Sequence, residues 1–146
     1  MRRGPAVLSG ACDDGAVPFL TLAALVFTVA SVGVMVFQGA LALGAPWGAY
    51  AMGGAFPGAF PPRLRIAAVA QAAVIGVVAL VVLSAGGVAQ PALHASFPWL
   101  IWVVVACSAV GVILNAISRS AGERRIWVPV TLVMLVTSLL VAIGDA

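Results

Sequence analysis

The sequence has no lysine, one histidine, one tyrosine and one glutamate, and only 8% of its 146 residues carry a charge. Soluble domains carry roughly a quarter charged residues, so this chain has too few to cover a water-soluble fold of its length. Charge is also missing in blocks. No Asp, Glu, Lys or Arg lies between Gly15 and Pro62, between Ile66 and Ser118, or between Ile126 and Gly144. Proton-coupled pumps and transporters usually need an ionisable group inside a membrane span, and none falls in these runs. A lone His94 cannot build a zinc or haem site. There is no nucleophile–base–acid set, and the glycines of "AMGGAFPG" have neither the lysine nor the flanking strand of a phosphate loop. No enzyme, cofactor or metal is expected. The two cysteines, Cys12 in the N-terminal tail and Cys107 in an apolar run, make no disulfide framework, and Cys107 reads as a small buried residue.

What the sequence does have is apolar length: 64% of its residues are hydrophobic. A spanning helix needs about 20 apolar residues. The charge-free blocks supply four, at about 17–43, 66–85, 98–117 and 128–143. The expectation is an all-α, four-helix transmembrane bundle, a single domain over 1–146. The first run is too long for a signal-peptide core and reads as a retained span. Gly86-Gly87 suits the end of the second helix, and Ser96 with Pro98 the first turn of the third. Ser120-Ala-Gly-Glu123 is a capping-box pattern. The fourth helix either starts near Pro129 or begins near Ala121 and kinks there.

Polar residues inside the spans are few and aligned. Thr21, Thr28, Ser31 and Gln38 share one seam of the first span with Ala24, Met35 and Ala42, at alternating steps of three and four. Val104, Ser108, Gly111, Asn115 and Ser118 repeat the design on the third, and Thr131, Met134 and Ser138 on the fourth. Ala68, Ala72 and Gly76 form a small-residue ridge on the second. Hydrogen bonds between helices are expected along these seams. Because helix direction alternates, Gln38, Gln71, Asn115 and Thr131 all fall at one level, toward the loops that carry arginine. They either bond to one another and lock the bundle or line a polar pocket.

The connection Gly44 to Pro62 holds four prolines and five glycines, no charge, and no hydroxyl but that of Tyr50. Bare backbone cannot lie free in hydrocarbon, and an uncharged segment is a poor solvated loop. It is expected either to form a lid over the polar layer, with Trp47, Tyr50, Phe56 and Phe60 at the membrane interface, or to run along that interface as a linker. Glu123, the only acidic residue on this side, is expected to cap its helix or to pair with Arg63 or Arg65. Arg63, Arg65, Arg119, Arg124 and Arg125 are candidate contacts for lipid headgroups. These five arginines against Arg2 and Arg3 at the other end place both loops in the cytoplasm and both termini outside a plasma (cell inner) membrane.

"LALGAPWG" after the first span, "PPRLR" into the second and "NAISRSAGERRIWVPV" before the fourth resemble a group of small bacterial four-span membrane proteins of no known activity. The resemblance rests on Ala45 to Gly48, Pro62, Arg63, Arg65, Asn115, Ser118, Ser120, Glu123, Arg124, Trp127 and Pro129. It implies the architecture and no function. The first functional reading is a non-enzymatic membrane protein acting through helix packing, as an accessory subunit of a larger complex or as a homo-oligomer, with membrane lipids and no nucleic acid as partners. The alternative is a small-molecule or lipid binding or transport protein using a pocket on the arginine-loop side.

Overall fold

The computed structural model describes residues 13–144. Arg2, Arg3 and Cys12 lie outside the described residues. The regular elements are helices: α1 Asp13–Leu43, α2 Pro62–Ala85, α3 Pro91–Ser96, α4 Leu100–Ala116 and α5 Ala121–Gly144. Two single-turn 3-10 segments, Gly48–Tyr50 and Met52–Gly54, interrupt the connection between α1 and α2. No strand occurs among the described residues.

Helix ends follow proline and glycine. Pro61 is extended and Pro62 opens α2, ahead of the expected Ile66, because proline's fixed φ suits a first helical position. Gly86 caps α2, and Gly87 follows at φ +71°, as the Gly pair suggests. The third span differs from expectation. Ser96 does not open it but ends the separate helix α3, and α4 begins at Leu100. Pro91 starts α3, and Phe97, the residue before Pro98, is pushed out of the helical region (φ −139°, ψ 62°). Of the two starts considered for α5, the helix takes Ala121 and runs through Pro129.

α1 packs along α2 and α5, α5 carries α4 on its other side, and α2 meets α4 sparsely. The seam of α1 is buried at Ala24, Ser31 and Gln38, flanked by fully buried Phe27 and Leu41. At the end where α1 starts, Ala24 and Phe27 join Val82, Ile101, Val104 and Val141 in one continuous core. At the opposite end the core shrinks to Leu41, Phe60 and Ala68. The helices are closed at one end and parted at the other.

Contrary to expectation, most seam hydroxyls do not bond between helices. Thr28 donates to the Ala24 carbonyl at 2.8 Å, Ser31 to Phe27 at 2.9 Å, Thr131 to Trp127 at 2.7 Å and Ser138 to Leu135 at 3.0 Å. A carbonyl one turn back satisfies each hydroxyl locally, so these residues aid packing by being small. Thr21, which reaches the Gly86 carbonyl at 3.3 Å, and Ser118, which reaches Glu123 of α5, are exceptions. Cys107 is exposed rather than buried: α4 turns Ile101, Val104 and Ser108 inward, and Cys107 sits about a quarter turn from that face.

The outside is as apolar as the inside. Val29, Val36, Val77 and Ile117 are each more than 60% exposed. Three stretches, Pro18–Leu43, Pro62–Ala85 and Ala121–Gly144, are long and apolar enough to cross a membrane, and Leu100–Ala116 is an apolar but shorter helix.

The closed end depends on close approach at Gly86, where an added Cβ would stand 2.5 Å from the Ala24 methyl. Gly86→Ala should destabilise the protein by about 1–3 kcal/mol, read as a lowered unfolding temperature in detergent. Gly76→Ala, whose Cβ would meet the Met35 Cε at an ordinary 3.5 Å, should leave that temperature nearly unchanged.

Candidate functional site

The parted end is built around the α1–α2 connection. Gly44, at φ +96°, ends α1; its N–H reaches the Leu41 carbonyl at 3.1 Å, and that of Ala45 reaches Ala40 at 2.9 Å. The guanidinium of Arg65 lies over this turn, so close that a Cβ on Gly44 would meet its Nη2 at 2.9 Å. Arg65 Nε donates to the Phe60 carbonyl at 2.8 Å. Further on, the chain passes itself at Gly48, whose N–H donates to the Gly58 carbonyl at 3.0 Å. A Cβ there would fall 2.0 Å from the Phe56 carbonyl oxygen, so only glycine fits.

The segment is then fastened to the α4–α5 connection. Ser120 Oγ donates to the Ala49 carbonyl at 2.9 Å, and Trp127 Nε1 to the Tyr50 carbonyl at 2.8 Å. Gly53 N–H donates to Glu123 Oε2 at 2.8 Å, and Ser118 Oγ donates to the same oxygen. Glu123 therefore engages neither Arg63 nor Arg65. The capping box forms only in half: the Glu123 N–H reaches Ser120 Oγ at 3.2 Å, while the Ser120 N–H turns to Ser118 Oγ at 3.2 Å. Ser120 caps the helix, and the Glu123 side chain clamps the loop.

Beneath the loop lies a cavity of about 440 Å³, within the usual size range of ligand pockets. α1 contributes Phe37 and Gln38, α2 Leu64 and Gln71, and α4 Leu114 and Asn115; Tyr50 to Gly53 roof it, and Glu123 and Trp127 stand at its side. Three of the four expected polar residues thus share one space. Their amides do not bond to one another. Asn115 Nδ2 donates to the Gly111 carbonyl of its own helix at 2.8 Å. Gln38, only 7% exposed, and Gln71, exposed, have no hydrogen-bond partner among the described residues. Thr131 does not line the cavity. Its hydroxyl donates to the Trp127 and Val128 carbonyls at 2.7 and 3.2 Å, and its methyl faces Gly111, because the carbonyls just before Pro129 satisfy it within α5.

The loop aromatics divide. Tyr50 and buried Phe60 line the cavity. Trp47 stacks on Phe37 at 6.1 Å, and Phe56 meets Phe60 edge-on at 6.4 Å. Among the arginines, Arg63, Arg119, Arg124 and Arg125 are exposed, Arg124 donating to the Ser118 carbonyl. Arg65 is committed to the loop, and among the described residues no arginine lines the cavity. Glu123 as a clamp and Trp127 as a wall, set edge-on to Phe37 at 4.6 Å, were not assigned to the site by sequence reasoning. Their only signals were the uniqueness of the glutamate and the place of both in the "GERRIW" string.

No protein-family model, no curated protein and no solved structure matches this chain.

Glu123→Ala should release the loop without unfolding the helices. Amide exchange over residues 48–58 should rise by about ten- to a hundredfold, as expected for losing a hydrogen bond to a charged group worth about 1.5–3 kcal/mol, with helical circular dichroism unchanged. Unchanged exchange at Gly53 would show that the carboxylate does not hold the loop.

Proposed function

We propose that this chain is a four-span membrane protein of the bacterial plasma membrane that binds the polar end of a small molecule or lipid in the cleft between α2 and α4. The observation that carries this reading is Gln38. The residue is only 7% exposed, and its carboxamide, without a hydrogen-bond partner among the described residues, borders the cavity. Among the described residues no fully buried side-chain nitrogen or oxygen lacks a partner, so this unpartnered carboxamide is open to the cavity, where an occupant can bond to it. A role in packing alone leaves both glutamines without a use, since neither ties one helix to another.

Several features support the membrane setting. The helices expose valine, leucine and isoleucine over faces far larger than the patches a soluble monomer shows. α4, at 17 residues, is about 25 Å long, at the short end of what spans a bilayer. Five loop arginines orient the cleft toward the cytoplasm, with exposed Arg63, Arg119 and Arg125 free to meet lipid phosphate.

Native mass spectrometry after mild extraction should find a small molecule or lipid retained by the unaltered chain. It should be lost in Gln38→Leu and in the Gln71→Leu/Asn115→Leu pair, both of which stay folded. Disassembly of these variants would return the amides to a packing role. A reporter active only in the cytoplasm should be silent when fused after Ala146; activity would reverse the orientation.

A further inference from the structure

We infer that the group taken by the cleft is a cation, an ammonium held between the Glu123 carboxylate and the aromatic walls; this rests on the cleft being a ligand site at all. Glu123 is the only glutamate of the chain, and it borders the cavity. Both protein donors that reach it, Gly53 N–H and Ser118 Oγ, go to Oε2. Five arginines lie in the adjoining α4–α5 connection and the first turns of α2 and α5, yet none lines the cavity or bonds to this carboxylate. Among the described residues, the cavity lining therefore holds one carboxylate, no arginine, and an oxygen, Oε1, without a donor.

The remaining lining suits the same ligand. Phe37, Tyr50, Phe60 and Trp127 line the space, and aromatic rings attract ammonium groups within about 6 Å of their faces. The Gln38 and Gln71 carboxamides bring oxygens able to accept from a primary ammonium. An anion would meet the Glu123 charge with no arginine among the lining residues to offset it. An ammonium can come from the headgroup of an amino lipid or from a free organic amine, and the recognition chemistry is the same.

The test uses the full chain in a nonionic maltoside detergent, titrated calorimetrically with benzyltrimethylammonium and with its uncharged carbon isostere, neopentylbenzene. The ammonium should bind at least about tenfold more tightly, and Glu123→Gln, which keeps volume and an acceptor, should abolish that preference. Ser118→Ala, which keeps the charge, should preserve it. If Glu123→Gln does not fold, the comparison of the two probes on the unaltered chain decides. Equal binding of both probes, weakened alike by Gln38→Leu, would overturn the cation and leave the cleft as a ligand site. Binding of neither probe, with no retained lipid, would overturn both. In nanodiscs of equal phosphatidylethanolamine and phosphatidylglycerol, co-purified phosphatidylethanolamine would assign the lipid source. Even retention beside tight ammonium binding would assign a free amine, and enrichment of phosphatidylglycerol would contradict the inference.

Discussion

Glu123 Oε2 accepts from the backbone of Gly53 and from Ser118, and the parted end of the molecule is organised around that oxygen. Residues 44–61 offer a backbone full of donors and acceptors but almost no polar side chains to satisfy them. Short 3-10 turns meet part of the need, as in the Tyr50 N–H to Trp47 and Gly54 N–H to Ala51 bonds. The rest is met from across the molecule, by Ser120, Glu123 and Trp127. Three bonds from one helix start fix where the loop lies, and so hold it as a roof over the space between α2 and α4.

That space exists because the helices pack by different means at their two ends. At the closed end alanine, valine and glycine allow near contact, as at Gly86 against Ala24. Toward the loops the inward positions become Gln38, Gln71 and Asn115, and none of these bonds across to another helix. Carboxamides that do not pair cannot pull α2 and α4 together, and a cleft remains. The polar groups in it answer to whatever occupies it, which links the packing pattern to the proposed binding role.

Much of this was legible in the sequence. Charge-free runs placed three long apolar helices and a shorter one, and the steps of three and four along α1 picked out Ala24, Ser31 and Gln38 as an inward face. Alternating helix direction put Gln38, Gln71 and Asn115 at one level. The same argument failed for Thr131, because depth says nothing about whether a hydroxyl finds a carbonyl in its own helix. The burial expected of Cys107 rested on its residue type alone and failed because α4 turns Ile101, Val104 and Ser108 inward, and an apolar stretch does not reveal which apolar residue faces in. The helix α3 was missed because a helix of one and a half turns has no periodicity to read. The clamp by Glu123 depends on the path of a loop through successive positive-φ residues, Met52, Gly53 and Gly54, which no local pattern announces.

The state of the Gln38 carboxamide tests the account most directly. Solid-state NMR on the labelled protein in lipid bilayers can measure contacts from its side-chain nitrogen and carbonyl carbon to Gln71, Asn115, water and any bound molecule. The account predicts no contact at hydrogen-bond distance to either amide, and a contact to water or ligand protons from within the cleft. A direct Gln38–Gln71 or Gln38–Asn115 hydrogen bond, with the side chain dry, would contradict it.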